Sequence, residues 1–223
     1  MKWNKEDFYK FIITQKVSGF FTEPLRLKSG RLSHWYVNWR NVAENVQSID
    51  MLSDFVISFV RYLGLKPDCF YGVPEGATKL GIICQYKWAK SQANYRKKMY
   101  ILPMGRAKPK NHGDPKDQFF LGIPQGKVII MEDVTTTGSS LIETIDKLKK
   151  IDISIISAIG LTDRNELRDD NKSVELILKE KGVSYHAMSN AIDLIPYLKP
   201  DKDIAQKVEE YFKRYGTVEL KIS

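Results

Sequence analysis

The chain has 223 residues, 43% hydrophobic and 28% charged, with a formal net charge of +8. That length and composition describe a soluble globular chain with one large core; no internal repeat, low-complexity tract or apolar run of membrane-spanning length is present. The positive balance suits either a polyanionic small molecule or nucleic acid. Because the Lys and Arg residues are spread along the chain rather than gathered in one arm, a solvated surface is expected, with neither nucleic acid nor membrane as partner.

The first segment, "MKWNKEDFYKFIITQK", mixes charges into an amphipathic pattern and lacks the apolar core of a signal peptide. Residues 50–64 predict a helix, with Leu52, Phe55, Val56, Phe59, Val60 and Leu63 at helical spacing and Gly64 as its stop. "CFYGV" predicts a short buried strand, "PEGATK" a turn, and "LGIICQYKWAK" a helix. "MYILPM" and "KVIIM" predict two further strands. Between them, residues 104–126 carry many charges and no periodicity, the mark of a disordered or functional loop. Leu141, Ile145 and Leu148 predict a helix whose exposed side pairs Glu143 with Lys147 and Asp146 with Lys150. "ISIISAIGL" predicts a strand, "VELILKEKG" a helix, "VSYHAM" a strand and "IAQKVEEYFKRYG" the last helix.

Strands that are apolar on both faces and alternate with helices imply an α/β fold, a parallel sheet flanked by helices. Ligands of such sheets bind beyond the carboxyl ends of the strands. No linker divides the chain, so residues 1–223 read as a single domain. Cys69 and Cys84 sit in apolar stretches and read as buried free thiols of a cytoplasmic protein. His34, His112 and His186 are too far apart for metal-ligand spacing, so no protein-held metal is expected.

The chemistry concentrates in "VIIMEDVTTTGSSLIET", residues 128–144, where an apolar strand ends in two acids and five hydroxyl residues surround a glycine. A turn from strand into helix offers free N–H groups and the positive end of the helix dipole, which favour a phosphate. Thr135, Thr136, Thr137, Ser139 and Ser140 add hydroxyl donors, and Gly138 permits close approach or positive φ. Neither a Walker lysine nor GxGxxG is present. Glu132 and Asp133 would repel a phosphate but suit sugar hydroxyls or a cation. The ligand implied carries one phosphate and one diol, as in a ribose 5-phosphate. A capped helix after a buried strand accounts for one or two of these hydroxyls, and poorly for the rest.

This stretch resembles the phosphoribosyl-pyrophosphate (PRPP) motif of type I phosphoribosyltransferases. Three further segments narrow the resemblance to the orotate phosphoribosyltransferase family: "LKSGRLSHWYVN" at 27–38, "GRAKPKNHG" at 105–113 and "GLTDRNE" at 160–166. "YGVPEGATKLG", residues 71–81, is similar to the family's pyrophosphate loop, although Glu75 and Gly76 stand where members carry tyrosine and lysine. Ala107 stands where many members carry a lysine, with Lys108 one place on.

The resemblance implies a type I phosphoribosyltransferase fold with a small N-terminal hood over about residues 1–45 and a mobile catalytic loop at about 104–126. It implies transfer of the phosphoribosyl group of PRPP to orotate in UMP biosynthesis, with Mg²⁺ bound mainly through PRPP. Lys28, Tyr36, Thr136 and Arg164 would hold orotate. Glu132, Asp133, Thr135, Thr136, Thr137, Gly138, Ser139, Ser140 and Lys108 would hold PRPP. Arg106, Lys110, His112 and Asp133 would serve catalysis, the loop cations reaching into the neighbouring subunit of a homodimer with shared active sites. The alternatives are a phosphoribosyltransferase for another nucleobase and a non-catalytic PRPP-binding regulator. A neutral purine would leave Lys28 and Arg164 without a carboxylate, and a regulator would have no need of Lys110 and His112.

Overall fold

A computed structural model describes residues 1–106, 108, 110 and 119–222. The chain opens with α1 (Lys5–Thr14), capped by the Asn4 side chain, which accepts a hydrogen bond from the Asp7 amide at 3.0 Å. An antiparallel hairpin follows, β1 (Ser18–Arg26) and β2 (Leu32–Val37), closed by a turn with Gly30 at φ 84°. This left-handed position explains the glycine of the "KSG" triplet. After a short 3-10 turn at Val42–Glu44 comes α2 (Val46–Tyr62), whose first turn is capped by Asn45.

The alternating part of the chain then begins: β3 (Cys69–Gly72), α3 (Thr78–Lys90), β4 (Met104–Gly105) and β5 (Phe120–Leu121). It continues with β6 (Lys127–Thr135), α4 (Ser139–Lys149), β7 (Ser154–Asp163), α5 (Val174–Glu180) and β8 (Ser184–Asn190). Two helices close the chain, α6 (Ala191–Leu198) and α7 (Lys202–Tyr215). The central sheet has the order β3-β6-β7-β8 and every neighbouring pair is parallel. Side chains alternate across it. Ile129, Met131, Ile159 and Leu161 face a large core shared with α1, α2, α3, α6, α7 and the hairpin. Val128, Ile130 and Ala158 face a smaller core beneath α4 and α5. Burial on both faces is why these strands read as unbroken apolar runs. No helix among the described residues is long and apolar enough to cross a membrane.

Two expectations are corrected. "MYILPM" does not form a strand of the sheet; only Met104–Gly105 is extended, paired with Phe120–Leu121. The side chain of Gln85, 1% exposed, stands where that strand would pair. Its Oε1 accepts from the Phe70 amide of β3 at 2.9 Å, and its Nε2 donates to the Ile101 carbonyl at 2.8 Å. On α4, Glu143 does pair with Lys147, at 2.7 Å, but Asp146 pairs with Lys181 at 2.6 Å rather than with Lys150.

Candidate active site

At the carboxyl ends of β3, β6 and β7 lies a cleft of about 320 Å³, walled on the other side by the β1–β2 hairpin. Four parts of the chain meet there: 26–29 with 36–38 and Arg40 from the hairpin and the residues after it, the 74–76 turn after β3, residues 132–134 with 136–140, and Arg164 after β7.

The floor is the passage from β6 into α4. Gly138, at φ 65°, is the residue before α4, and a Cβ there would meet Val174 at 2.7 Å. Only glycine combines that conformation with that contact. The Thr137 and Ser139 hydroxyls are 3.0 Å apart, and Arg168 Nη1 donates to the Thr137 carbonyl at 2.5 Å. Lys28 Nζ reaches across from the hairpin to donate to Ser140 Oγ at 2.7 Å. Free amides at a helix N-terminus, hydroxyls and an ammonium make this end a cradle for a phosphate.

β6 extends past its apolar run to Thr135, so both acids belong to the strand. Glu132 is 6% exposed. Burial first, and the neighbouring charge of Asp133 second, push its carboxyl well above the usual carboxylate range. Two carboxyl groups side by side at the cleft present oxygens to a diol. Gly76 packs against the Asp133 carboxylate so closely that a Cβ would lie 2.2 Å from Oδ2. A side chain at 76 would require the Asp133 carboxylate to shift.

The opposite wall is built on Arg164, 1% exposed. Nε donates to Glu166 Oε1 at 2.7 Å, Nη1 to the Trp35 carbonyl at 3.1 Å and Nη2 to Ser33 Oγ at 3.0 Å. The guanidinium carbon also lies 4.6 Å from the centroid of the Trp35 ring. Arg31 Nη1 donates to Glu166 Oε2 at 3.0 Å, so two guanidinium groups share one buried carboxylate. Asp169 also pairs with Arg31 at 3.0 Å, so the cluster is balanced in charge and holds the Arg164 guanidinium in place behind this end of the cleft.

No family model matches the chain. Orotate phosphoribosyltransferase of Methylococcus capsulatus is 28% identical over 223 residues, an alignment covering 97% of this chain and 100% of that protein. The crystal structure of orotate phosphoribosyltransferase from Francisella tularensis superposes with a TM-score of 0.69 at 22% identity, covering 94% of this chain and 99% of that one. Over nearly its full length the chain is similar to these orotate phosphoribosyltransferases. It also matches 42% of Leishmania donovani UMP synthase, with a TM-score of 0.71 at 18% identity. The fold shared with these structures is the type I phosphoribosyltransferase fold.

Among the residues that resemblance to the orotate phosphoribosyltransferases singles out, the cleft brings together Lys28, Tyr36, Glu132, Asp133, Thr136, Thr137, Gly138, Ser139, Ser140 and Arg164. Thr135 does not line it. Its side chain is 0% exposed and its Oγ1 lies with the Tyr185 hydroxyl under Gly160, neither in a well-formed hydrogen bond among the described residues. The adjacent Asp163 carboxyl is pushed up to about 6, chiefly by burial. Lys28, expected at the base, donates to Ser140 of the phosphate cradle. Arg106 lines a smaller adjoining recess of about 160 Å³ together with Lys28, Tyr71 and Ser140. Lys108 and Lys110 do not line the cleft, and Ala107, His112 and Gly113 lie outside the described residues. Arg26, Asn38 and Arg40 do line it, as do Glu75 and Gly76 of the turn after β3. The Lys-Ser-Gly pattern draws attention to Lys28 and passes over Arg26; Arg40 carries no motif at all.

Proposed function

We propose that the protein is an orotate phosphoribosyltransferase, forming orotidine 5′-monophosphate and pyrophosphate from orotate and PRPP in UMP biosynthesis. One observation carries this reading. A single cleft holds a phosphate cradle at the start of α4, an acid pair on β6 suited to ribose hydroxyls, and the rigidly held guanidinium of Arg164.

In the reaction, orotate N1 gives up its proton and forms a bond to the anomeric carbon while the bond to the pyrophosphate oxygen breaks; pyrophosphate leaves with the electron pair, and the proton passes to it or to water. Orotate arrives as an anion, so positioning, exclusion of water and stabilisation of the leaving group are the protein's tasks. Thr136 to Ser140 hold the 5-phosphate, and Glu132 and Asp133 the ribose hydroxyls. Three of the five N–H groups of Arg164 are already taken, and the remaining two suit a planar anionic acceptor. Tyr36 supplies a ring to the same base.

Asp133 faces the cleft as a carboxylate available to a magnesium ion carried by a diphosphate, the usual way that such ions combine phosphate oxygens with one or two protein carboxylates. Magnesium bound there would offset the charge of the leaving group. The whole chain acts as one phosphoribosyltransferase domain, with residues 1–45 as its base-binding hood. The 104–126 loop has Arg106 near its start, beside its own cleft, and delivers Lys108, Lys110 and His112 to the partner's site in a cytoplasmic homodimer.

The direct test follows orotate absorbance with PRPP and Mg²⁺, with PRPP omitted, and with adenine or uracil in place of orotate. Orotate is expected to be consumed only when PRPP is present. Turnover of adenine or uracil instead would assign another base, and binding of PRPP without any turnover would favour a regulator.

The Lys28–Ser140 contact makes a sharper expectation. Lys28→Ala removes a charge-assisted hydrogen bond worth about 1.5–3 kcal/mol, and it should raise KM for PRPP as well as for orotate. An unchanged KM for PRPP would place Lys28 wholly with the base.

A further inference from the structure

Two exposed arginines of the hairpin segment line the cleft, Arg26 and Arg40, and neither guanidinium has a hydrogen bond or ion pair among the described residues. Arg26, at the end of β1, is two residues from Lys28. Arg40 is held elsewhere. Its amide donates to Asn38 Oδ1 at 3.1 Å, and Asn38 in turn donates to Asn41 Oδ1 at 3.1 Å, which fixes the backbone in a tight turn. The preceding Trp39, 2% exposed, donates from Nε1 to Thr162 Oγ1 at 3.0 Å. With residue 39 pinned in the core, residue 40 is presented to the cleft. Three residues on, the Ala43 carbonyl accepts from Lys79 Nζ at 3.2 Å, which joins this segment to the first turn of α3, just beyond the Glu75–Gly76 turn.

PRPP carries two anionic ends, and orotate adds a third anion. The start of α4, after β6, takes the 5-phosphate, and Arg164, after β7, faces the base. The diphosphate is left to the side of β3. There the turn itself offers Pro74, Glu75 and Gly76: an acid of the wrong sign and no cation. Lys79 is already engaged with Ala43.

We infer that Arg40 binds the diphosphate of PRPP and the pyrophosphate released from it, supplying from the hairpin the positive charge that the turn after β3 lacks. This rests on the proposed function for the identity of the substrate, and on the geometry for the residue. A guanidinium presents paired donors to phosphate oxygens, and here it also offsets the charge of Glu75.

The experiment compares the wild-type protein with Arg40→Ala and Arg40→Lys. Titration calorimetry with inorganic pyrophosphate and Mg²⁺ should show affinity reduced about tenfold or more in Arg40→Ala and partly kept in Arg40→Lys. KM for PRPP should rise in parallel while KM for orotate changes less than about twofold. Arg40 is exposed, so both variants should melt like the wild type. Unchanged pyrophosphate affinity in Arg40→Ala would overturn the inference, as would a loss confined to orotate. If the wild-type protein consumed no orotate, the functional reading would fail, and the pyrophosphate titration would still decide the role of Arg40.

Discussion

Glu166→Ala is expected to cost about 3–5 kcal/mol of folding stability, the range for breaking a buried ion pair by removing one partner. Glu166 has a fully buried side chain, with Arg164 at 2.7 Å on one oxygen and Arg31 at 3.0 Å on the other. Without it, two guanidinium groups whose side chains are 1% and 9% exposed would face each other with no carboxylate between them. The exposed Asp169, 3.0 Å from Arg31, is too well solvated to compensate. A domain of this kind is stable by roughly 5–15 kcal/mol, so the variant should unfold at a much lower urea concentration. Glu166→Gln keeps the shape and one acceptor, and should lose less. A loss under about 1 kcal/mol for Glu166→Ala would show that the two arginines do not depend on this carboxylate.

The second large effect is recovery of activity from two inactive proteins. Asp133 lies in the cleft of its own chain, whereas Lys110 does not line that cleft. Asp133→Asn keeps the shape and removes a charged acceptor, worth about 1.5–3 kcal/mol per hydrogen bond, or roughly 10- to 150-fold in rate. Lys110→Ala removes a cation expected to meet the leaving pyrophosphate. Each variant alone should therefore be close to inactive. If the loop serves the partner's site, mixing the two with subunit exchange gives hybrids in which one site has both residues intact. With equal mixing, about half the dimers are hybrid and half their sites work, so roughly a quarter of wild-type activity is the ceiling. No recovery, with subunit exchange demonstrated by mass, would place Lys110 in its own subunit or outside the reaction.

Much of this site was legible because its signals are local. The αL glycine, the hydroxyls and the acids of residues 132–140 follow one another along the chain, and a strand entering a helix fixes their geometry. What was hidden depends on where elements stop and on what crosses between them. The apolar run ends at Met131, but β6 continues to Thr135, and that extension sends the Thr135 hydroxyl into the core. Arg164 was recognisable from its Asp-Arg pair. Its burial against Trp35 and Ser33 was not, because those partners are about 130 residues away in sequence. "MYILPM" has strand composition, yet a single buried glutamine on α3 takes the pairing that composition predicts. Arg40 looks like any surface arginine until Trp39 is seen to pin its neighbour.

Gln85 has a consequence beyond the register of the sheet. β3 is the outermost strand on its side, and an outermost strand with open amides and carbonyls invites another chain to add itself there, the first step of many aggregates. The Phe70 amide, facing outward in the middle of β3, is occupied by Gln85 Oε1, and the same side chain holds the 100–103 segment over the edge through Ile101. One side chain thus shields the rim of the sheet, a task that other folds give to a bulge, a proline or a row of charges.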